Sequence, residues 1–73
     1  MLPVQCKMAR AALGLTVRQL GDISGLSHDT IVRFEAGQEL KPKTVEAIRA
    51  ALVSAGVEFI EENGGGPGVR LRR

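Results

Sequence analysis

The chain contains one cysteine and one histidine, and no long apolar run interrupts its 73 residues. A lone Cys6 can form no internal disulfide and no thiolate metal site by itself, and a reducing interior suits it. With a single histidine there is no paired-imidazole metal cluster, and His28 and Cys6 fall on different helical segments, which leaves no nucleophile–base set for an enzyme. No stretch reaches the length of a bilayer span, and no basic region leads into a signal-peptide core. The expectation is a soluble, cytoplasmic protein with no enzymatic activity, no cofactor and no metal. Charge is nearly balanced, at a formal +2, so composition allows a nucleic-acid partner without requiring one. The chain shows no internal repeat. Its length suits one domain with one modest core, leaving no room for a second catalytic or sensor domain.

What is present is a series of helix punctuation marks. Val4, Met8, Ala11, Ala12 and Leu15 recur at spacings of three and four, which argues for an amphipathic first helix. Pro3 suits its first turn and Gly14 its left-handed exit. Thr16-Val17-Arg18-Gln19 has the form of a capping box opening a short second helix, and Ser24-Gly25 offers its break. Ser27 caps a third helix, with Asp29 favourably placed in the first turn, and Gly37 ends it. Pro42 and Thr44 open a fourth, whose buried stripe is Val45, Ile48, Ala51 and Leu52 and whose stop is Gly56.

Beyond Gly56 the period changes. Val57–Ile60 and Val69–Arg72 alternate as strands with one buried face, and the segment between them is too glycine-rich for a helix. Gly64–Gly68 lacks the Gly-Lys-Ser/Thr ending of a phosphate-binding loop and is a turn. The fold expected is mainly α: four helices over residues 1–56 and a short β-hairpin over 57–73. Two strands alone are marginal in water, so the hairpin must pack on the helices or pair with a second subunit. Cys6 is expected on or near the buried face of the first helix. Three of the ten cations crowd the last four positions. Arg70, Arg72 and Arg73 read as a frayed, solubilising tail, with a supplementary DNA contact as the alternative.

The second and third helices, joined by a tight glycine turn, have the form of a helix-turn-helix. In that unit Leu20 and Ile31 must face inward and Gly21 must be small where the helices cross. Gly25 must permit the turn, Leu26 must plug the corner, and Phe34 must anchor the third helix. The residues occur in the required order. Leu13-Gly14-Leu15-Thr16, Leu20 to Ser27 and Thr30 to Gly37 together resemble the lambda-repressor-like, or XRE-type, DNA-binding domain, over roughly residues 4 to 55.

The resemblance implies a compact helical bundle that binds operator DNA as a symmetric dimer. His28, Asp29 and Arg33 match positions that reach base edges. Their chemistry agrees, since Arg33 can donate twice to guanine and Asp29 can accept from cytosine, although Asp29 can equally serve only the helix dipole. Thr16, Ser27 and Thr30 carry hydroxyls beside helix N-termini, where phosphates are favoured. Arg18, Gln38, Lys41 and Lys43 complete the expected backbone contacts. Arg10 and Glu35 match a pair that bridges the first helix to the end of the third.

Three departures stand out: Val17 where glutamine is frequent, Gly21 in place of the more usual alanine, and strands instead of a fifth helix. Gly21 lowers the helix propensity of that segment by roughly 1 kcal/mol. Because one recognition helix reads too few base pairs for useful specificity, a homodimer is expected, with its two reading helices ~34 Å apart on an inverted-repeat operator. Val57, Phe59, Ile60, Val69 and Leu71 of the hairpin are the expected dimer contacts. The function expected is a sequence-specific transcriptional regulator, a repressor or autoregulator. The alternative is an antitoxin-like or adaptor protein whose main partner is another protein.

Overall fold

The computed structural model describes residues 1–72. It contains helices α1 (Pro3–Leu13), α2 (Val17–Ser24), α3 (His28–Glu35) and α4 (Pro42–Ala55), followed by strands β1 (Val57–Ile60) and β2 (Gly68–Leu71). The helix boundaries follow from local chemistry. Pro3 opens α1, where its missing N–H costs no intrahelical bond. Thr16 Oγ1 accepts from the Gln19 amide at 3.0 Å while the Thr16 amide donates to Gln19 Oε1 at 2.8 Å, a complete capping box. Ser27 Oγ accepts from the Thr30 amide at 3.1 Å and sets the first turn of α3.

The turn between α2 and α3 depends on two glycines. Gly25 has φ 75°, a left-handed conformation that side chains with a Cβ rarely adopt. Gly21 is needed for a different reason. A Cβ there would lie 2.9 Å from the Leu26 carbonyl oxygen, a backbone atom that cannot swing aside. The two helices therefore approach more closely than an alanine at position 21 would permit.

The core consists of Cys6, Ala9, Leu20, Ile31, Phe34, Ile48, Leu52 and Val57, with Leu13, Leu26, Val45, Ala51, Phe59 and Val69 packed against it. Leu20, Ile31 and Phe34 face inward as the helix-turn-helix requires. On α1 the buried face differs from the sequence expectation. Val4 is half exposed and Ala11 and Ala12 are exposed, whereas Gln5, Cys6 and Ala9 are buried. The reason is tertiary: the Gln5 amide meets both hairpin strands, while the Cys6 thiol meets Glu35 of α3.

The hairpin pairs antiparallel in the register Val57↔Leu71, Glu58↔Arg70, Phe59↔Val69 and Ile60↔Gly68, so its second strand starts one residue earlier than the alternation suggested. Gln5 fixes it in place: its Nε2 donates to the carbonyls of both Ile60 and Gly68, each at 3.1 Å. From α4, the Arg49 guanidinium sits 5.3 Å from the centroid of the Phe59 ring, a cation–π contact across the same junction.

Two expectations for this region are corrected. Val57, expected at a subunit contact, is fully buried in the core of its own chain, because the strand enters directly from the end of α4 with that side chain turned inward. Arg70 and Arg72 are not a frayed tail. Arg70 pairs across the strands with Glu58. The Arg72 amide donates to Gly56 O at 2.8 Å, and its Nη2 donates to Val53 O at 2.7 Å, occupying carbonyls at the C-terminus of α4. Arg73 lies outside the described residues.

Candidate nucleic-acid interface

Helix α3 has two unlike faces. Ile31 and Phe34 point into the core, and the opposite edge, with His28, Asp29, Val32, Arg33 and Ala36, is exposed. These positions recur at three and four residues and so share one side of the helix. Asp29 and Arg33, expected as separate base-contacting groups, are joined by an ion pair, Arg33 Nε to Asp29 Oδ2 at 3.3 Å, with their side chains 50% and 77% exposed for Arg33 and Asp29 respectively. Such an exposed pair along a helix is worth only about 0.3–0.5 kcal/mol. It orients the guanidinium outward without locking it there.

Of the groups expected at phosphates, Thr16, Arg18, Ser27, Gln38, Lys41 and Lys43 are exposed, and Thr30 is partly buried. The hydroxyls of Ser27 and Thr30 lie 2.8 Å apart and bond each other. Lys41 is the N-cap residue of α4 and supplies no side-chain cap, so its ammonium is not used by the helix. The groups therefore sit at the openings of α2, α3 and α4 and in the segment between α3 and α4.

Arg10 and Glu35 form a two-pronged pair. Arg10 Nε lies 2.7 Å from Glu35 Oε2 and Nη2 lies 2.8 Å from Oε1, while Nη1 donates to the Leu15 carbonyl at 3.1 Å. Parallel bonds of this kind are among the strongest polar contacts available to a protein. The pair ties α1, the α1–α2 link and the last turn of α3 together. Cys6 joins the cluster, its thiol donating to Glu35 Oε2 at 3.2 Å, a contact the sequence analysis did not anticipate.

The ionisation of the cluster follows from this geometry. Burial alone would raise the Glu35 carboxyl, but the bonds from Arg10 and Cys6 and the Arg10 charge outweigh it and hold the group below its ordinary range. The Cys6 thiol is pushed up to about 12, first by burial and then by its bond to Glu35. It is therefore an inert thiol at neutral pH, since reactivity requires the thiolate. The Arg10 guanidinium is held more firmly protonated by its bonds to Glu35.

A second feature missed from sequence is a shallow hollow beside α3, lined by Lys7, Val17, Val32, Glu35 and Ala36. Val32 could have been placed on the outward edge from its spacing to Asp29. Its neighbourhood with Val17 and Lys7 depends on tertiary packing.

A helix-turn-helix family model of the lambda-repressor-like type matches residues 7–52, more than half of the chain. The chain belongs to the XRE, or lambda-repressor-like, helix-turn-helix family. Against curated proteins it has no match. The family is one of DNA-binding regulatory domains and is not an enzyme family. The matched span includes every position on the outward edge of α3 and both Lys41 and Lys43, and it ends before the hairpin. Among the described residues no cluster of three or more potential metal ligands occurs, and no helix is long and apolar enough to cross a membrane.

Proposed function

We propose that this XRE-family protein is a sequence-specific transcriptional repressor that lays α3 in the major groove of an inverted-repeat operator as a homodimer. The observation that carries the reading is the division of α3. Ile31 and Phe34 anchor it to the core, while His28, Asp29 and Arg33 stand exposed on the opposite edge. In this reading Arg33 makes two bonds to a guanine edge. Asp29 either accepts from a cytosine amino group or holds Arg33 in position, and His28 adds a donor or acceptor. Thr16, Arg18, Ser27, Thr30, Gln38, Lys41 and Lys43 grip the phosphates and set the register.

One copy of α3 spans too few base pairs for specificity, so two copies about one DNA turn apart complete the reader. Of the hairpin side chains, Phe59, Ile60 and Val69 are partly buried and Leu71 is half exposed. Those side chains are the proposed dimer contact, acting in the cytoplasm on nucleoid DNA. Repression then follows from occupancy of the operator.

Selection of bound sites from random duplex DNA tests the reading, because it returns preference, half-site spacing and symmetry together. On the selected site, Arg33→Ala is expected to lose about 1–3 kcal/mol and to relax preference at one base pair per half-site. Lys43→Ala should weaken all sequences alike and lower the salt dependence by about one counterion per lost phosphate contact. Equal affinity for every duplex, or identical behaviour of the two variants, refutes the assignment.

A further inference from the structure

We propose that Val32, with Val17 beside it, forms an apolar contact that reads the C5-methyl group of a thymine in the operator. The inference rests on the regulator reading and adds a specificity determinant to it. Val32 is the one large apolar side chain on the outward edge of α3; it is 42% exposed, on the same edge as the paired Asp29 and Arg33. A single exposed valine is ordinary on a protein surface. This one lines a common hollow with Val17, the first residue of α2, at the place where α2 opens beside α3.

The chemistry of the hollow limits what it can recognise. Neither valine can donate or accept a hydrogen bond, so the pair is blind to the donor and acceptor pattern of the major groove. The remaining distinguishing feature on unmodified base edges is the thymine methyl. The Glu35 carboxylate also borders the hollow, but both of its oxygens are bonded to Arg10, which neutralises a charge that would otherwise repel the adjoining phosphates. Lys7, on the same rim, supplies a cation of the sign a DNA backbone requires. Val32 and Ala36 belong both to the hollow and to the edge that carries His28, Asp29 and Arg33, so in this reading a duplex seated on that edge reaches the hollow.

The test uses the full chain and its selected operator, with each thymine replaced singly by deoxyuridine, which deletes one methyl and preserves pairing. Wild-type protein should lose about fourfold in affinity at one thymine per half-site, the effect expected from burying a single methyl-sized group. Val32→Ala should bind the thymine and deoxyuridine operators equally, and Val32→Thr, which keeps the branched shape, should retain part of the discrimination. Arg33→Ala should leave the methyl effect in place. If no deoxyuridine substitution weakens wild-type binding, or if Val32→Ala keeps the full discrimination, the methyl contact is refuted while the regulator reading stands. If selection returns no preferred sequence, both fail together.

Discussion

Replacing Arg10 by methionine tests how the Arg10–Glu35 pair holds α3. The substitution keeps much of the aliphatic stem and removes three N–H bonds, two to Glu35 and one to the Leu15 carbonyl. Glu35, with a side chain only 7% exposed, would keep the weak thiol donor of Cys6 alone. Stranding a buried charge in this way costs about 3–5 kcal/mol. Arg10 itself is about a fifth exposed, so the lower end, about 3 kcal/mol, is expected. A domain of this size has a total stability of roughly 4–11 kcal/mol. The loss corresponds to a fall in Tm of about 12–24 °C.

The chain has no tryptophan or tyrosine, so urea unfolding is best followed by helical circular dichroism. Wild type, Arg10→Met, Glu35→Leu and the double variant form a cycle in which the double variant should recover most of the loss, because no unpaired charge remains. The pH dependence has a definite sign. In wild type the folded Glu35 value is lowered, so its contribution is full above the ordinary carboxyl value and disappears as pH falls through the folded value. In Arg10→Met, burial dominates and raises the folded value, so the penalty is full above that raised value and vanishes below the ordinary one. The stability gap between the two proteins must therefore narrow from pH 7 to pH 4. A gap that widens, or a double variant no more stable than Arg10→Met, refutes the account.

Gln5→Leu should destabilise by about 1–3 kcal/mol, because the carbonyls of Ile60 and Gly68 lose their shared donor; cleavage by a glutamyl-specific protease at Glu61 and Glu62 should accelerate, and an unchanged rate would argue against Gln5 as the anchor. Gly21→Ala should lower stability by about 1–3 kcal/mol despite the better helix propensity of alanine, since its Cβ would press on the Leu26 carbonyl; a rise in urea midpoint would show that the turn yields freely. Cys6 should resist alkylation at pH 8 in the native state and react only on unfolding, given its full burial and raised thiol value. Rapid modification of native protein would place the thiol elsewhere than in the core.

The helix order, the caps at Thr16 and Ser27 and the inward and outward faces of α3 were legible because their causes are local. Thr16 with Gln19, Ser27 with Thr30 and the glycines after α1 and α2 act within a few residues of one another. The helix-turn-helix spacing also encodes one non-local fact, that Leu20 and Ile31 meet. The Asp29–Arg33 pair is equally local, at four residues along one helix, and could have been read from sequence.

What sequence could not supply is the surface against which α1 packs. The spacing of Val4, Met8, Ala11 and Ala12 describes one possible apolar stripe, but a helix buries the face its neighbours cover. Here Gln5 is covered by the hairpin and Cys6 faces Glu35 of α3. Gln5 looks like a solvent-facing residue in sequence and is instead the joint between α1 and both strands, 55 and 63 positions away. The same packing changes how dimerisation must be tested. Removing residues 57–73 would delete the buried Val57 and strip the Gln5 amide of both carbonyl acceptors, so a monomeric truncation would not separate a damaged core from a lost interface. Leu71→Glu leaves both in place and alters a side chain that is half exposed. If the hairpin builds the dimer, that variant should sediment as a folded monomer with weakened operator binding; a folded dimer would move the interface to another face.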